Sequence, residues 1–260
     1  MKLSKIVVIH SYKGGTGKTL LSVNLAAAYA NRGKKVCLLD LDFRAPSLQS
    51  IFRLEPSEYW LNDYLNGACE IEKVIVDYTP QCNCIGEFMV GLANPSTEAL
   101  RDMSAKDRKW EMRALGRLLS LKNTVLNDME VDYLLYDTSP GLQYSSINAI
   151  VSADVVIVVS TIDASDIEGT KRMTTELYDL FEKKSAILMN KVPIEFLSST
   201  IEKETVNKRF ESMHTIPVLK VIPCYCDVLR AGGTKIFTRD YPDHAFTKHV
   251  EDIALRIEDF

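Results

Sequence analysis

The sequence has no apolar run near the roughly 18 residues that a membrane-spanning helix needs. It also has no Pro/Gly/Ser-rich linker, no low-complexity tract and no internal repeat. Those absences argue against a membrane bundle, a string of flexibly joined modules and a repeat array. A strong charge of either sign is missing too: the net charge is −4 over 260 residues, with 25% charged and 46% hydrophobic side chains. Nothing in that balance calls for nucleic acid or anionic lipid as a partner. A cleavable leader is not expected either. "MKLSKIVVIHSYKGG" pairs basic residues with an apolar run, but runs into glycines rather than a small-residue cleavage site. Six cysteines, at 37, 69, 82, 84, 224 and 226, include one inside the apolar run "KVCLLDLD". Buried and scattered thiols point to a reducing, cytoplasmic setting.

What is present is alternation. Apolar runs at 5–11, 35–41, 85–93, 132–138, 153–161, 185–191 and 217–223 read as strands. Most are continuously apolar, as strands become when both faces are covered. Helical patterns occupy 18–32, 96–127 with a break, 144–152, 164–183, 200–212 and 243–259. The expected fold is α/β: one domain over 1–260, with a mostly parallel twisted sheet of about seven or eight strands and helices on both faces. Ligands gather at the carboxyl ends of strands in such sheets, which directs attention to the loops there.

The first of these loops reads "SYKGGTGKTL", residues 11–20. Gly14, Gly15 and Gly17, then Lys18 and Thr19, approach the phosphate-loop pattern G-x-x-x-x-G-K-[ST] and open onto a helix. Glycines let backbone N–H groups turn inward around phosphate oxygens, and the helix N-terminus adds positive charge. Lys18 is expected to bridge the terminal phosphates and Thr19 to reach Mg²⁺. The pattern is edited: Tyr12 stands where the first glycine belongs, and Lys13 adds a second cation. The second loop, "LLDLDFRAPS", carries Asp40 and Asp42 two residues apart, on one side of the pleat. The loop after "YLLYD" begins with Asp137, an acid suited to hold Mg²⁺, and continues "TSPG", a rigid turn followed by a flexible one.

"KGGTGKT", D-x-D and "DTSPG" together resemble the ParA/MinD family of deviant Walker A ATPases. The resemblance covers residue 5 to the C-terminal helix, and implies ATP and Mg²⁺ as ligands. It implies nucleotide contacts from Gly14, Gly15, Thr16, Gly17, Lys18, Thr19 and Leu20, and Mg²⁺ held by Thr19 and Asp137 with Asp40 nearby. Lys13 would act across a two-fold axis on a partner's phosphates, so the edited loop becomes a dimer interface. Asp42 would position the attacking water in switch I, and "DTSPG" would form switch II. Asn190 of "MNKVP" would meet adenine, with backbone near Pro223 completing the pocket. Pro193 stands where the acid of N-K-x-D would read guanine, so ATP is expected rather than GTP.

The family implies an ATP-dependent homodimer, slow hydrolysis and a protein activator or cargo adaptor. "DLDFRAPS" departs from the D-x-D-P-Q-G-N of DNA-partitioning members and is similar to MinD-type proteins and bacterial tyrosine kinases. DNA is therefore permitted but not indicated. A kinase module is the alternative, against which stands a tail without tyrosine past Tyr241; an ATP-binding adaptor with little hydrolysis is a third reading.

Three features invite over-reading. Cys82/Cys84 and Cys224/Cys226 form two C-x-C pairs, but they fall at opposite ends of their strands, so one shared metal site is not expected. Residues 104–122 read as a helix capped by Ser104 and Asp107. Its Lys106, Lys109, Arg113 and Arg117 form a basic stripe opposite an apolar Met112, Leu115 and Leu119; a solvated face explains it more simply than a DNA grip. The C-terminal "FTKHVEDIALRIEDF" is amphipathic but acidic, so a packing helix is expected there and direct membrane anchoring is not.

Overall fold

The computed structural model describes residues 4–54, 58–178, 181–197 and 199–260. Its strands are β1 (Lys5–His10), β2 (Lys35–Leu41), β3 (Ile75–Asp77), β4 (Glu87–Gly91), β5 (Tyr133–Thr138), β6 (Val155–Ser160), β7 (Lys184–Val192) and β8 (Val218–Pro223). They form one sheet of eight strands in the order β3-β4-β2-β5-β1-β6-β7-β8. Every pairing is parallel except β3 with β4. The helices are α1 (Lys18–Asn31), α2 (Leu48–Phe52), α3 (Leu61–Asn66), α4 (Thr79–Cys82), α5 (Thr97–Ser104), α6 (Arg108–Leu121), α7 (Tyr144–Ser152), α8 (Ala164–Met173), α9 (Thr200–Met213), α10 (Cys226–Arg230), α11 (Phe237–Asp240) and α12 (Ala245–Glu258).

Side-chain alternation in β1 supplies both cores. Ile6 and Val8 join one with Trp110, Leu118 and Ile150, while Val7 and Ile9 join the other with α1 and α12. Helix α1 is buried almost all round because Ala26, Ala27, Ala28 and Ala30 let it pass between the sheet and α12. Tyr29 anchors it: the ring stacks on Tyr133 at 3.9 Å and the hydroxyl donates to Ala254 O at 3.1 Å. Helix α12 buries Phe246, Val250, Ile253, Ala254 and Ile257, the packing role its pattern implied.

All seven expected strands are present. The eighth, β3, is a three-residue edge strand, too short to show a period. The helical pattern expected over 96–127 with a break is present as α5 and α6, and α6 passes into a π-helical turn at Lys122–Asp128. Residues 179 and 180 of the helix expected at 164–183 lie outside the described residues.

Three expectations about α6 need correction. Asp107 caps it, accepting from Trp110 N at 2.7 Å, whereas Ser104 ends α5 and donates to Leu100 O. The buried stripe is Trp110, Ala114, Leu118 and Leu121, while Met112 and Leu119 are 63% and 49% exposed. Arg117 leaves the basic face, turning inward over the Tyr64 ring and donating to Cys69 O at 2.8 Å. The two C-x-C pairs lie at opposite sides of the molecule. Cys82 and Cys84 precede β4, Cys224 and Cys226 follow β8, and the sheet order sets six strand spacings, about 29 Å, between those strands.

Gly86 tests the packing between α1 and the sheet. A Cβ there would fall 2.2 Å from Lys34 O, a backbone atom that cannot step aside, while Gly86 N donates to Ala30 O at 2.8 Å. Gly86→Ala is expected to cost about 1–3 kcal/mol of stability. In urea melts the midpoint should fall with the m-value unchanged.

Candidate functional site

Strand β1 lies between β5 and β6, so the chain leaves it where neighbouring connections diverge, the place where α/β sheets hold ligands. The loop from Ser11 to Gly17 turns there through left-handed conformations at Gly15 (φ +78°) and Gly17 (φ +100°). Gly17 then starts α1, its carbonyl accepting from Leu21 N at 3.0 Å. A cavity of about 480 Å³ opens beside this loop, lined by Gly14, Gly15, Gly17, Lys18, Thr19 and Leu20. Asp42 and Arg44 from the loop after β2, and Ser139 and Pro140 from the loop after β5, close its other side. The residues of three separate loops thus face one space.

Lys18 is buried, and its Nζ donates to Ser11 Oγ at 2.9 Å. Burial lowers its pKa, against the pull of Asp137, Asp42 and Asp166. Asp137 is fully buried next to Asp40, its register partner on β2. Its Oδ1 accepts from Ser22 Oγ at 3.0 Å, whereas its Oδ2, also buried, has no hydrogen-bond partner among the described residues. Burial pushes Asp137 up to about 6, opposed by the Thr19 hydroxyl, Lys18 and Ser22. An unsatisfied buried carboxylate oxygen beside a threonine hydroxyl at a helix start fits a hard cation with oxygen ligands.

Asp40 is engaged differently. Oδ1 accepts from Asp42 N at 3.1 Å, and Oδ2 from Ser47 N and Leu48 N at 3.2 and 3.3 Å. Burial and Asp137 raise its pKa well above the carboxylate range. Asp40 therefore shapes the loop after β2 from beneath. Asp42 joins the loops after β2 and β5: its Oδ1 accepts from Ser139 Oγ at 2.6 Å and from Arg44 N and Ala45 N.

Asn190 braces the phosphate loop from the far side. Its Nδ2 donates to Thr16 O at 2.8 Å and lies 2.5 Å from where a Gly17 Cβ would be. Pro223 ends β8 in register with Val192, two residues along β7 from Asn190, and also lines a cavity of about 560 Å³ with Lys220, Tyr225 and His249. Lys13 points out of the cradle altogether, to Asp163 Oδ1 at 2.8 Å.

Several contributors escaped the sequence reading. Ser11, Ser22 and Ser139 each orient a charged member of the site, and Lys191 (φ +57°) donates to Gly15 O at 2.6 Å. His10 lies fully buried behind the loop, its Nδ1 within 2.9 Å of Thr138 Oγ1, and burial pushes its pKa down to about 3, which keeps the ring neutral. Serines next to motif glycines and acids were the available signal, but a hydroxyl's partner lies up to 115 positions away.

A family model described as an AAA domain matches residues 4–192. The chain is 30% identical to an uncharacterised ATP-binding protein of Methanocaldococcus jannaschii, over 96% of this chain and 86% of that one. It is 26% identical to the septum site-determining protein MinD of Thermotoga maritima, over 98% and 88% of the two chains. Among solved structures, MinD from Pyrococcus horikoshii, complexed with Mg-ADP, superposes with a TM-score of 0.78 at 21% identity, covering 98% of this chain and 96% of that one. No helix among the described residues is long and apolar enough to cross a membrane.

The raised pKa of Asp137 generates a test. Its folded value near 6 exceeds the ordinary 3.8, so its ionisation opposes folding above pH 6, and that opposition disappears as pH falls through 6 toward 4. Asp137→Asn is therefore expected to stabilise the nucleotide-free protein at pH 7.5 by roughly 2–3 kcal/mol, with a smaller gain at pH 5. The same variant should lose Mg²⁺-dependent ATP binding. Denaturant melts at both pH values and calorimetry with and without Mg²⁺ read the two effects separately.

Proposed function

The chain belongs to the ParA/MinD family of P-loop ATPases, and from that premise we propose that it is an ATP-driven dimerisation switch that hydrolyses ATP slowly. The observation that carries this reading is the second lysine. Lys18 occupies the cradle as the internal phosphate cation, whereas Lys13 stands on the exposed rim, where a second subunit's nucleotide can meet it. In this reading residues 1–260 act as one unit in the cytoplasm, a setting that six free cysteines favour. A cargo adaptor or activating protein would read the paired state.

Each residue then has a task. Backbone N–H groups from Gly14 to Thr19 bind the phosphates, and Lys18 neutralises the terminal pair. Thr19 and Asp137 would hold Mg²⁺, which when bound offsets charge on the β- and γ-phosphates. Asp40 keeps the switch I loop in place through its backbone bonds. Asp42 would orient water toward the γ-phosphorus; the new P–O bond forms as the bond to the β-phosphate oxygen breaks, leaving ADP and phosphate. Asn190 and backbone near Pro223 would set the base.

Asp42 and Lys13 test the two halves of this reading. Asp42→Ala is expected to lower kcat by about 10²-fold or more, an effect of at least about 2.7 kcal/mol, while sparing ATP binding. The result should be an ATP-bound dimer that persists, beside a wild-type dimer that decays as ATP is consumed. Lys13→Ala should still bind MgATP but remain monomeric. Sedimentation with ATP and with ADP, run alongside phosphate release, decides between them. A wild-type protein that stays monomeric with ATP would sink the switch.

A Lys18→Ala change should abolish MgATP binding or nearly so, because it removes the internal cation from the cradle. Calorimetry showing wild-type affinity would overturn the assignment of this loop.

A further inference from the structure

Two thiols meet at a turn that the nucleotide site does not use. Helix α4 ends at Cys82, Asn83 follows in the left-handed conformation (φ +55°, ψ +38°), and Cys84 leads toward β4. In a strand, Cα atoms two residues apart are separated by about 6.6 Å. A left-handed middle residue folds the chain and shortens that span, well into the range of about 4.4–6.8 Å that a disulfide bridges. The side chains already touch: the Cys82 and Cys84 thiols are hydrogen-bonded, and the Cys84 backbone N–H donates to the Cys82 sulfur. Cys224 and Cys226 have the same spacing, but Tyr225 between them is extended (φ −101°, ψ +117°), so that pair keeps the wider span.

The two thiols differ in access. Cys82 is 1% exposed, within the core that holds Tyr78 and Phe88, whereas Cys84 is half-buried and open to water. Burial, and then the bond to Cys84, push Cys82 up to about 12, while the nearby Arg239 cation, which donates to Tyr78 Oη and Gln81 O, pulls the other way. We propose that Cys82 and Cys84 form a modification site, a dithiol that low-molecular-weight disulfides of the oxidised-glutathione class convert reversibly to an internal disulfide. The Cys84 thiolate attacks one glutathione sulfur; the glutathione S–S bond breaks, and the leaving thiolate takes up a proton. Cys82 then loses its proton and attacks the Cys84 sulfur, expelling the second glutathione as a thiol. Two protein thiols are oxidised and one small disulfide is reduced to two thiols. A bridge closing over one residue constrains the unfolded chain little, so it is readily reduced again when the thiol pool recovers. The pair stands at the amino end of β4, while the phosphate cradle stands at carboxyl ends, so this chemistry does not depend on the nucleotide reading.

Peptide mass spectrometry of the full chain, incubated with oxidised glutathione and quenched with acid, tests the site. In wild type the segment holding Cys82 and Cys84 should lose two hydrogens and retain no glutathione, and dithiothreitol should restore both thiols. Cys82→Ala, which keeps a small apolar side chain in the core, should trap one glutathione on Cys84. Cys84→Ser should slow loss of the Cys82 thiol by at least about tenfold, because a buried thiol is a poor nucleophile. A wild-type chain that keeps both thiols free, or that accumulates glutathione on Cys84 without a bridge, would overturn the assignment whatever the variants do. A Cys84→Ser protein that reacts at Cys82 as fast as wild type would overturn the order of attack. A bridge forming equally fast between Cys224 and Cys226 would overturn the role given to the left-handed turn at Asn83.

Discussion

Keeping Lys18, Asp40 and Asp137 out of water is the constraint from which the rest of the site follows. All three are buried at the carboxyl ends of β1, β2 and β5. Isolated charges there would each cost several kcal/mol. The fold offsets this by distributing partners: Ser11 for Lys18, Ser22 for one oxygen of Asp137, and three backbone amides for Asp40. Of these three side chains, one acceptor, Asp137 Oδ2, is left without a partner among the described residues. The local stability given up there is concentrated where a ligand cation can restore it, as expected at a functional site.

Much of this was legible because the middle of the sheet is covered on both faces. Continuous apolar runs such as "YLLY" and "VVIVV" specify buried parallel strands, and a glycine loop ahead of an alanine-rich helix specifies where phosphates bind. What was missed lies where local pattern carries little information. Strand β3 spans three residues, and α2, α3, α4, α10 and α11 span four to six, shorter than two helical turns. The Asp42–Ser139 bond joins positions 97 apart, and no local period records it.

Helix α6 shows how a correct element can carry a wrong face. Counting lysines and arginines at helical spacing placed Arg117 with the solvated stripe, but a guanidinium on a long apolar stem packs over Tyr64 while still reaching a carbonyl. Trp110 then takes the buried position that Met112 was expected to fill, its indole N–H donating to Asn66 Oδ1 at 2.8 Å. Amphipathicity has an axis, and one misread side chain rotates it. Asp107 alone caps this helix because the chain breaks between α5 and α6, which leaves Ser104 as the last residue of α5 rather than part of the cap.

The contacts that join the loops fall into two strengths, and the division matches what each must do. Beneath the cradle they are buried: Asn190 to Thr16 O, Ser22 to Asp137, and Lys18 to Ser11. Breaking any of them strands a desolvated polar group, which costs more than the bond contributes, so the cradle has one geometry. At the rim they are exposed, as with Lys13 and Asp163, and water or another anion can replace either partner at little cost. The Asp42–Ser139 bond lies between these extremes, with Asp42 half-buried and Ser139 buried, and joins two loops that face the same cavity. A site with only buried contacts would bind phosphate and stay fixed; one with only exposed contacts would not hold its shape. The editing of the loop at Tyr12 and Lys13 falls on the exposed side, where a change of partner leaves the cradle intact.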